Sequence, residues 1–296
     1  MKRLIPLLLA LLLVLSACTG KARPEETYIP KYTPTPEPEP TESVEPGVQI
    51  DGTLLTALGD TITVDLDSDG KQDEVSLSRD ADGLRLTING QDYTGVLYSV
   101  WDFEYADSDY FAVVNLDRYD RALEVAVEDY GPSDDPQTFF FRYEKETVTC
   151  IGSVPSLCWD DWTKQDTVTY MGNGSLLVNA RLDGLMTWFG DVTYRIDRDG
   201  KLAMVRGEMC AADQLVNVTL TNPVLAYESA DSEPEKLYPG DTLQLSGTDQ
   251  SQWVQAYRSG GAPVLLRLNP DDRYQVETPT GFEDGPEVMN GLIFAG

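Results

Sequence analysis

Thr61-Ile62-Thr63-Val64-Asp65-Leu66-Asp67-Ser68-Asp69-Gly70-Lys71-Gln72-Asp73-Glu74-Val75-Ser76-Leu77 reads as two short strands joined by an acidic loop. Thr61 to Val64 alternates polar and apolar, and Glu74 to Leu77 does so again, the period of a half-buried β-strand. Between them the carboxylates of Asp65, Asp67, Asp69 and Asp73 fall at positions 1, 3, 5 and 9 of the loop, with Gly70 at position 6 and Lys71 at position 7. A sharp turn at the glycine lets such oxygens converge, and hard oxygen donors at this spacing suit Ca2+. The expected metal set is Asp65, Asp67, Asp69, Lys71 and Asp73, with calcium as a staple of the hairpin and not as a catalyst. An EF-hand needs a bidentate acid at position 12, where Ser76 stands, and flanking helices. In an aspartate-rich chain the same stretch also suits a solvated turn; the weight on the other side is that crowded carboxylates with one lysine repel unless a cation joins them.

The alternation continues outward in Leu84-Arg85-Leu86-Thr87-Ile88 and Leu123-Glu124-Val125-Ala126-Val127, and strand-like runs follow at Thr138 to Tyr143 and Thr147 to Ile151. Asp82-Gly83, Asn89-Gly90, Gly172-Asn173-Gly174 and Asp199-Gly200 supply residues that tolerate the positive φ of tight hairpin turns. No long stretch keeps a helical period; a turn or two of helix is expected only near Pro155 to Asp160. The fold class is therefore all-β with antiparallel sheets. A second loop, Asn115-Leu116-Asp117-Arg118-Tyr119-Asp120-Arg121-Ala122-Leu123-Glu124-Val125, aligns without gaps to the first, with Tyr119 and Leu123 in place of Asp69 and Asp73. Ile196-Asp197-Arg198-Asp199-Gly200-Lys201 keeps two aspartates and the glycine and reads as a tight turn. This strand, acidic loop and strand, recurring along the chain, resembles the calcium loop of FG-GAP or VCBS-type repeats. The resemblance implies propeller-like sheets over residues 49–228, about four blades of roughly 45 to 50 residues each, few for a closed ring. An incomplete propeller and an irregular stack of sheets both remain open.

The two ends differ in composition. Lys2 and Arg3 precede an apolar run from Leu4 to Leu15 that is too short to span a bilayer, as in a secretory signal over residues 1–17. Leu15-Ser16-Ala17-Cys18 resembles the lipobox of bacterial lipoproteins, which implies a lipid on Cys18 and attachment to the extracytoplasmic face of a bacterial cell membrane. Residues 18–48 hold Pro24, Pro30, Pro34, Pro36, Pro38, Pro40 and Pro46 among six glutamates. That stretch is expected to be an extended stalk, reaching up to roughly 90 Å at about 3.1 Å per residue. After the acidic stretch Glu228 to Glu235, residues 229–296 read as a small β-barrel-like domain. There Leu237-Tyr238-Pro239-Gly240-Asp241-Thr242-Leu243-Gln244-Leu245, Asp249 and Trp253-Val254 resemble the opening of bacterial Src-homology-type wall-binding domains. The later glycine-tryptophan signature of that family is missing, with Ala262-Pro263-Val264-Leu265-Leu266 in its place.

The chain has 296 residues, 22 basic and 50 acidic, no histidine and a formal charge of −28. Nucleic acid and anionic lipid surfaces are poor partners for such a chain. Without imidazole, histidine-dependent serine or cysteine nucleophiles and histidine-ligated metals are excluded. Trp159-Asp160-Asp161-Trp162 combines two flat faces with two acceptors and is a candidate glycan platform, although tryptophans in β-proteins are commonly core plugs. Cys150 and Cys158 are close enough to pair across a turn; equally, Cys150, Cys158 and Cys210 can stay thiols. The layout of anchor, stalk and β module points to a non-enzymatic, surface-tethered binding or scaffold lipoprotein. Its expected partners are the membrane through the anchor and a cell-wall, host or dietary glycan or a protein. The alternative is a carboxylate-dependent glycan hydrolase, since two acids suffice for that chemistry.

Overall fold

The computed structural model describes residues 53–132, 135–158 and 168–294. In chain order the first half comprises β1 (Thr53–Ala57), β2 (Thr61–Val64), β3 (Asp73–Asp80), β4 (Gly83–Ile88), β5 (Gln91–Asp92), helix α1 (Thr94–Tyr98), β6 (Tyr110–Val114), β7 (Glu124–Asp129), β8 (Gln137–Glu144) and β9 (Thr147–Val154). The second half comprises β10 (Val168–Tyr170), β11 (Ser175–Leu182), β12 (Trp188–Ile196), β13 (Leu202–Met204), β14 (Cys210–Leu220), β15 (Val224–Tyr227), β16 (Glu235–Leu237), β17 (Thr242–Thr248), β18 (Trp253–Arg258), β19 (Pro263–Arg267), β20 (Gln275–Thr278), β21 (Gly281–Asp284), helix α2 (Gly285–Val288) and β22 (Met289–Asn290). The fold is all-β and its strand pairs are antiparallel. Among the described residues helix is confined to two short segments, and neither lies at Pro155 to Cys158, the described part of the stretch where the sequence suggested one. Pro155 to Cys158 bend without coiling, while α1 and α2 are too short to show a helical period.

β2, β3, β4 and β5 form a four-stranded meander, and β1, β6, β7, β8 and β9 form a five-stranded sheet in that order. Alternate side chains of the five-stranded sheet enter two different cores, as a pleat requires. Phe111, Val113, Val125, Val127, Phe139 and Phe141 pack with Val75, Leu77, Leu86 and Ile88 of the meander. Ala112, Val114, Ala126, Phe140, Ile151 and Val154 pack with Val178, Leu182 and Val192 of the next sheet. Both faces are covered, which is why Thr138-Phe139-Phe140-Phe141 runs without a solvent-facing residue. A bulge in β9 leaves Ile151 as the extra residue between the pairs Phe140↔Gly152 and Phe141↔Cys150.

The largest sheet follows the order β10-β11-β12-β14-β17-β18-β19-β15-β16, with β13 added beside β12 and β22 beside β14. Strands from both sides of residue 228 share it: β14 pairs with β17 from Cys210↔Thr248 to Thr219↔Thr242. The acidic stretch after Tyr227, which suggested a linker, is instead the loop of the β15–β16 hairpin, closed by Ala226↔Glu235. Its polar composition suits an exposed hairpin loop as well as a domain junction, so composition alone did not distinguish them. One apolar core joins Val178 and Val192 with Leu245, Val254 and Leu266 across that position.

Candidate metal centre

The acidic loop connects β2 to β3 where Val64 pairs with Asp73. Leu66 is its anchor, fully buried and drawing the chain inward, so that Asp65 and Asp67 on either side turn to the same outer face. Oxygens of Asp65, Asp67 and Asp73 lie within 4.8 Å of one another. Two oxygens on opposite sides of a Ca2+ ion at 2.3–2.6 Å can be that far apart, so these three carboxylates fit a calcium-sized sphere. Asp65 accepts the amides of Asp69 at 3.1 Å and Gly70 at 2.9 Å, and Asp67 accepts that of Asp69 at 3.2 Å. Gly70 takes φ +85°, in the left-handed region that the turn demands and glycine enters without strain.

Asp73 is the buried member. One oxygen accepts the Leu66 amide at 3.0 Å and the other the Asn89 side-chain amide at 2.7 Å. Asn89, from the two-residue turn between β4 and β5, also accepts the Glu74 amide at 2.9 Å. The loop therefore has a supporting residue that the sequence reading used only as a turn former. The other two expected ligands behave differently. Asp69 turns outward to the Lys71 ammonium at 2.6 Å, and that hydrogen bond holds its carboxyl below the ordinary value. Both side chains are exposed, so the pair contributes little to stability.

The second loop repeats this geometry in the same register. It joins β6 to β7, with Val114 paired to Glu124 as Val64 is to Asp73. Leu116 is fully buried like Leu66, and its amide donates to Glu124 Oε2 at 3.3 Å as that of Leu66 does to Asp73. Glu124, not Leu123, thus stands in the place of Asp73, and the loop is one residue longer. A gapless alignment counts that acid as lost because it cannot accommodate the insertion.

Glu124 is fully buried, and Arg142 meets it from the neighbouring strand, with Nε at 2.9 Å and Nη2 against the same oxygen. Arg142 Nη2 also lies 3.0 Å from Asp120. A guanidinium therefore binds two carboxylates of the second loop. Burial pushes the Glu124 carboxyl up to about 7, against the pull of Arg142, and pushes that of Asp120 up as well. The first loop has Lys71 as its cation, and Lys71 pairs with Asp69 at the surface. Glu124 faces Arg142 across the β7–β8 ladder. Sequence reasoning missed this triad; the acid at the loop's end was visible, but its partner becomes a neighbour only once β8 is paired.

The third acidic stretch is a turn. Asp197 Oδ1 accepts the amides of Asp199 at 2.8 Å and Lys201 at 2.9 Å between β12 and β13. Cys150, Cys158 and Cys210 are free thiols, and the latter two are buried. Trp188 and Trp253 are buried, the latter edge-on to Tyr227 at 5.2 Å. Asp249, part of the wall-binding likeness, accepts the amides of Ser251, Gln252 and Trp253 and so closes the turn before β18. Cys18 and Trp159, Asp160, Asp161 and Trp162 lie outside the described residues. Compared with protein-family models, curated proteins and solved structures, the chain matches none.

Proposed function

We propose that the chain is a non-enzymatic binding or scaffold lipoprotein, tethered through Cys18 to the extracytoplasmic face of a bacterial cell membrane, whose first acidic loop holds a structural calcium ion. The observation that carries the calcium reading is the pairing of like loops. In the second, two carboxylates are gathered around Arg142; in the first, Asp65, Asp67 and Asp73 converge while the loop's own cation, Lys71, pairs with Asp69 at the surface. Calcium would do there what arginine does in its neighbour.

The propeller-like reading belongs to the same proposal. It is supported by three successive four-stranded meanders, β2 to β5, β6 to β9 and β10 to β13. A contact recurs from each to the next: the Leu66 carbonyl accepts the Leu123 amide at 2.9 Å, and the Leu116 carbonyl accepts the Gly174 amide at 2.9 Å. The barrel-like reading of the last third rests on the β15 to β19 pairings, and a wall or dietary glycan or a protein remains the proposed partner.

Calorimetry of the full chain in millimolar Ca2+ against chelator tests the metal. Ligand at 100 times Kd adds about 2.7 kcal/mol, a rise of several degrees in melting temperature, and Asp65→Asn with Asp67→Asn abolishes it. A melting temperature indifferent to both calcium and chelator sinks the calcium proposal. For the anchor, a labelled fatty acid is expected to enter the chain and to be lost in Cys18→Ala.

A further inference from the structure

Among acids in excess, one region of the surface gathers positive charge. A shallow cleft of about 340 Å³ is lined by Arg206, Gln250, Ser251, Gln252, Pro270 and Arg273, two cations and no carboxylate. Three loops build it: the one between β13 and β14 supplies Arg206, the turn between β17 and β18 supplies Gln250 to Gln252, and the segment between β19 and β20 supplies Pro270 and Arg273. Both guanidiniums donate to one acceptor, the main-chain carbonyl of Gln250, Arg206 through Nη1 and Arg273 through Nη1 at 3.2 Å. Two like charges are thereby held side by side. Arg273 has one carboxylate partner, Asp183 at 2.7 Å; Arg206 has none among the described residues.

The acceptor is itself rigidly placed. Gln250 is fully buried at φ +56°, its side-chain oxygen accepts the Asp183 amide at 3.2 Å, and its side-chain nitrogen has no partner among the described residues. A carbonyl shared by two guanidiniums leaves most of their ten N–H donors for another acceptor, and guanidinium geometry matches flat or tetrahedral oxyanions. The Ser251 hydroxyl and the Gln252 amide on the same wall suit the polar remainder of a small ligand.

We propose that this cleft binds an oxyanion-bearing ligand, a carboxylate or a phosphate group held between Arg206 and Arg273. The site is remote in sequence from the acidic loop and independent of the calcium reading, so either can fail alone.

Arginine side-chain NMR of the full chain tests it, with sodium phosphate and sodium galacturonate titrated separately to about 50 mM while sodium chloride keeps ionic strength constant. The Nε–Hε signals of Arg206 and Arg273 are expected to shift saturably with at least one probe, while exposed Arg198 stays put. Saturation with phosphate alone identifies a phosphoryl ligand, with galacturonate alone a carboxylate, and with both a general oxyanion; each supports the site. Arg206→Gln, which breaks no ion pair, is expected to weaken the binding at least about tenfold, as the loss of one charge-assisted hydrogen bond does. The proposal is overturned by unsaturable shifts with both probes, by Arg198 moving in step with Arg206, or by unchanged affinity in Arg206→Gln.

Discussion

The guanidinium of Arg142 is a cation that the second loop cannot lose, and this makes Glu124 and Arg142 dependent on one another. With Glu124 fully buried, Arg142→Met removes the cation that steadies its ionised form and is expected to cost about 3 kcal/mol in chemical denaturation at pH 8, above the range in which the parent's carboxyl keeps its proton. Adding Glu124→Gln to that variant returns part of the loss, since the stranded charge is gone. Glu124 also imposes a pH dependence of definite sign. In the fold its carboxyl keeps a proton up to about pH 7, against an ordinary value of 4.5, so between those values the unfolded chain binds fewer protons than the native one. Stability from this group is therefore full below about pH 4.5 and is lost as pH rises through about 7. The melting temperature is expected to fall from pH 5 to pH 7.5 more steeply in the parent than in Glu124→Gln; parallel curves for the two contradict the assignment.

At the scale of the strand, Gly152 is a point of close backbone approach. It sits beside Ile151, the extra residue of the bulge in β9, at φ +151°, and a Cβ there would lie 2.5 Å from the Leu202 carbonyl and 3.0 Å from the Leu202 Cβ. Gly152→Ala is expected to destabilise by about 1–3 kcal/mol, some 2–9 °C in a thermal melt. Gly95→Ala in α1, where nothing lies within 4 Å, is expected to be neutral or slightly stabilising and serves as its comparison. Strands were the legible elements. Thr61–Val64 is β2 as read, and Leu84 to Ile88 lies within β4, because each has one covered face and hence a clean alternation. Thr138 to Tyr143 was found from its apolar run, but that run could not reveal that β8 divides its side chains between two cores. The convergence of Asp65, Asp67 and Asp73 was legible from spacing. The departure of Asp69 to Lys71, and the support of Asp73 by Asn89, depend on how the loop and the next hairpin fold together.

For the molecule as a whole, sign of charge and site of charge are different matters. The chain carries an excess of acids, yet these cations are placed: Arg142 on β8 against the second loop, Arg206 and Arg273 on one carbonyl. Sequence composition reported the excess and could not report the placements, which arise from strands and loops distant in the chain. The same distance explains why the acidic stretch after Tyr227 read as a junction.

That stretch has a practical consequence. Ser229 to Pro234 protrudes as a hairpin loop while β14 and β17 remain zipped on either side of it, so a cut there severs the backbone without separating a domain. Limited proteolysis at the loop is expected to give two fragments that migrate as one species under native conditions and part only in denaturant. Expressed as separate genes, the same two pieces would behave as complementing halves, each needing the other's strand to fold.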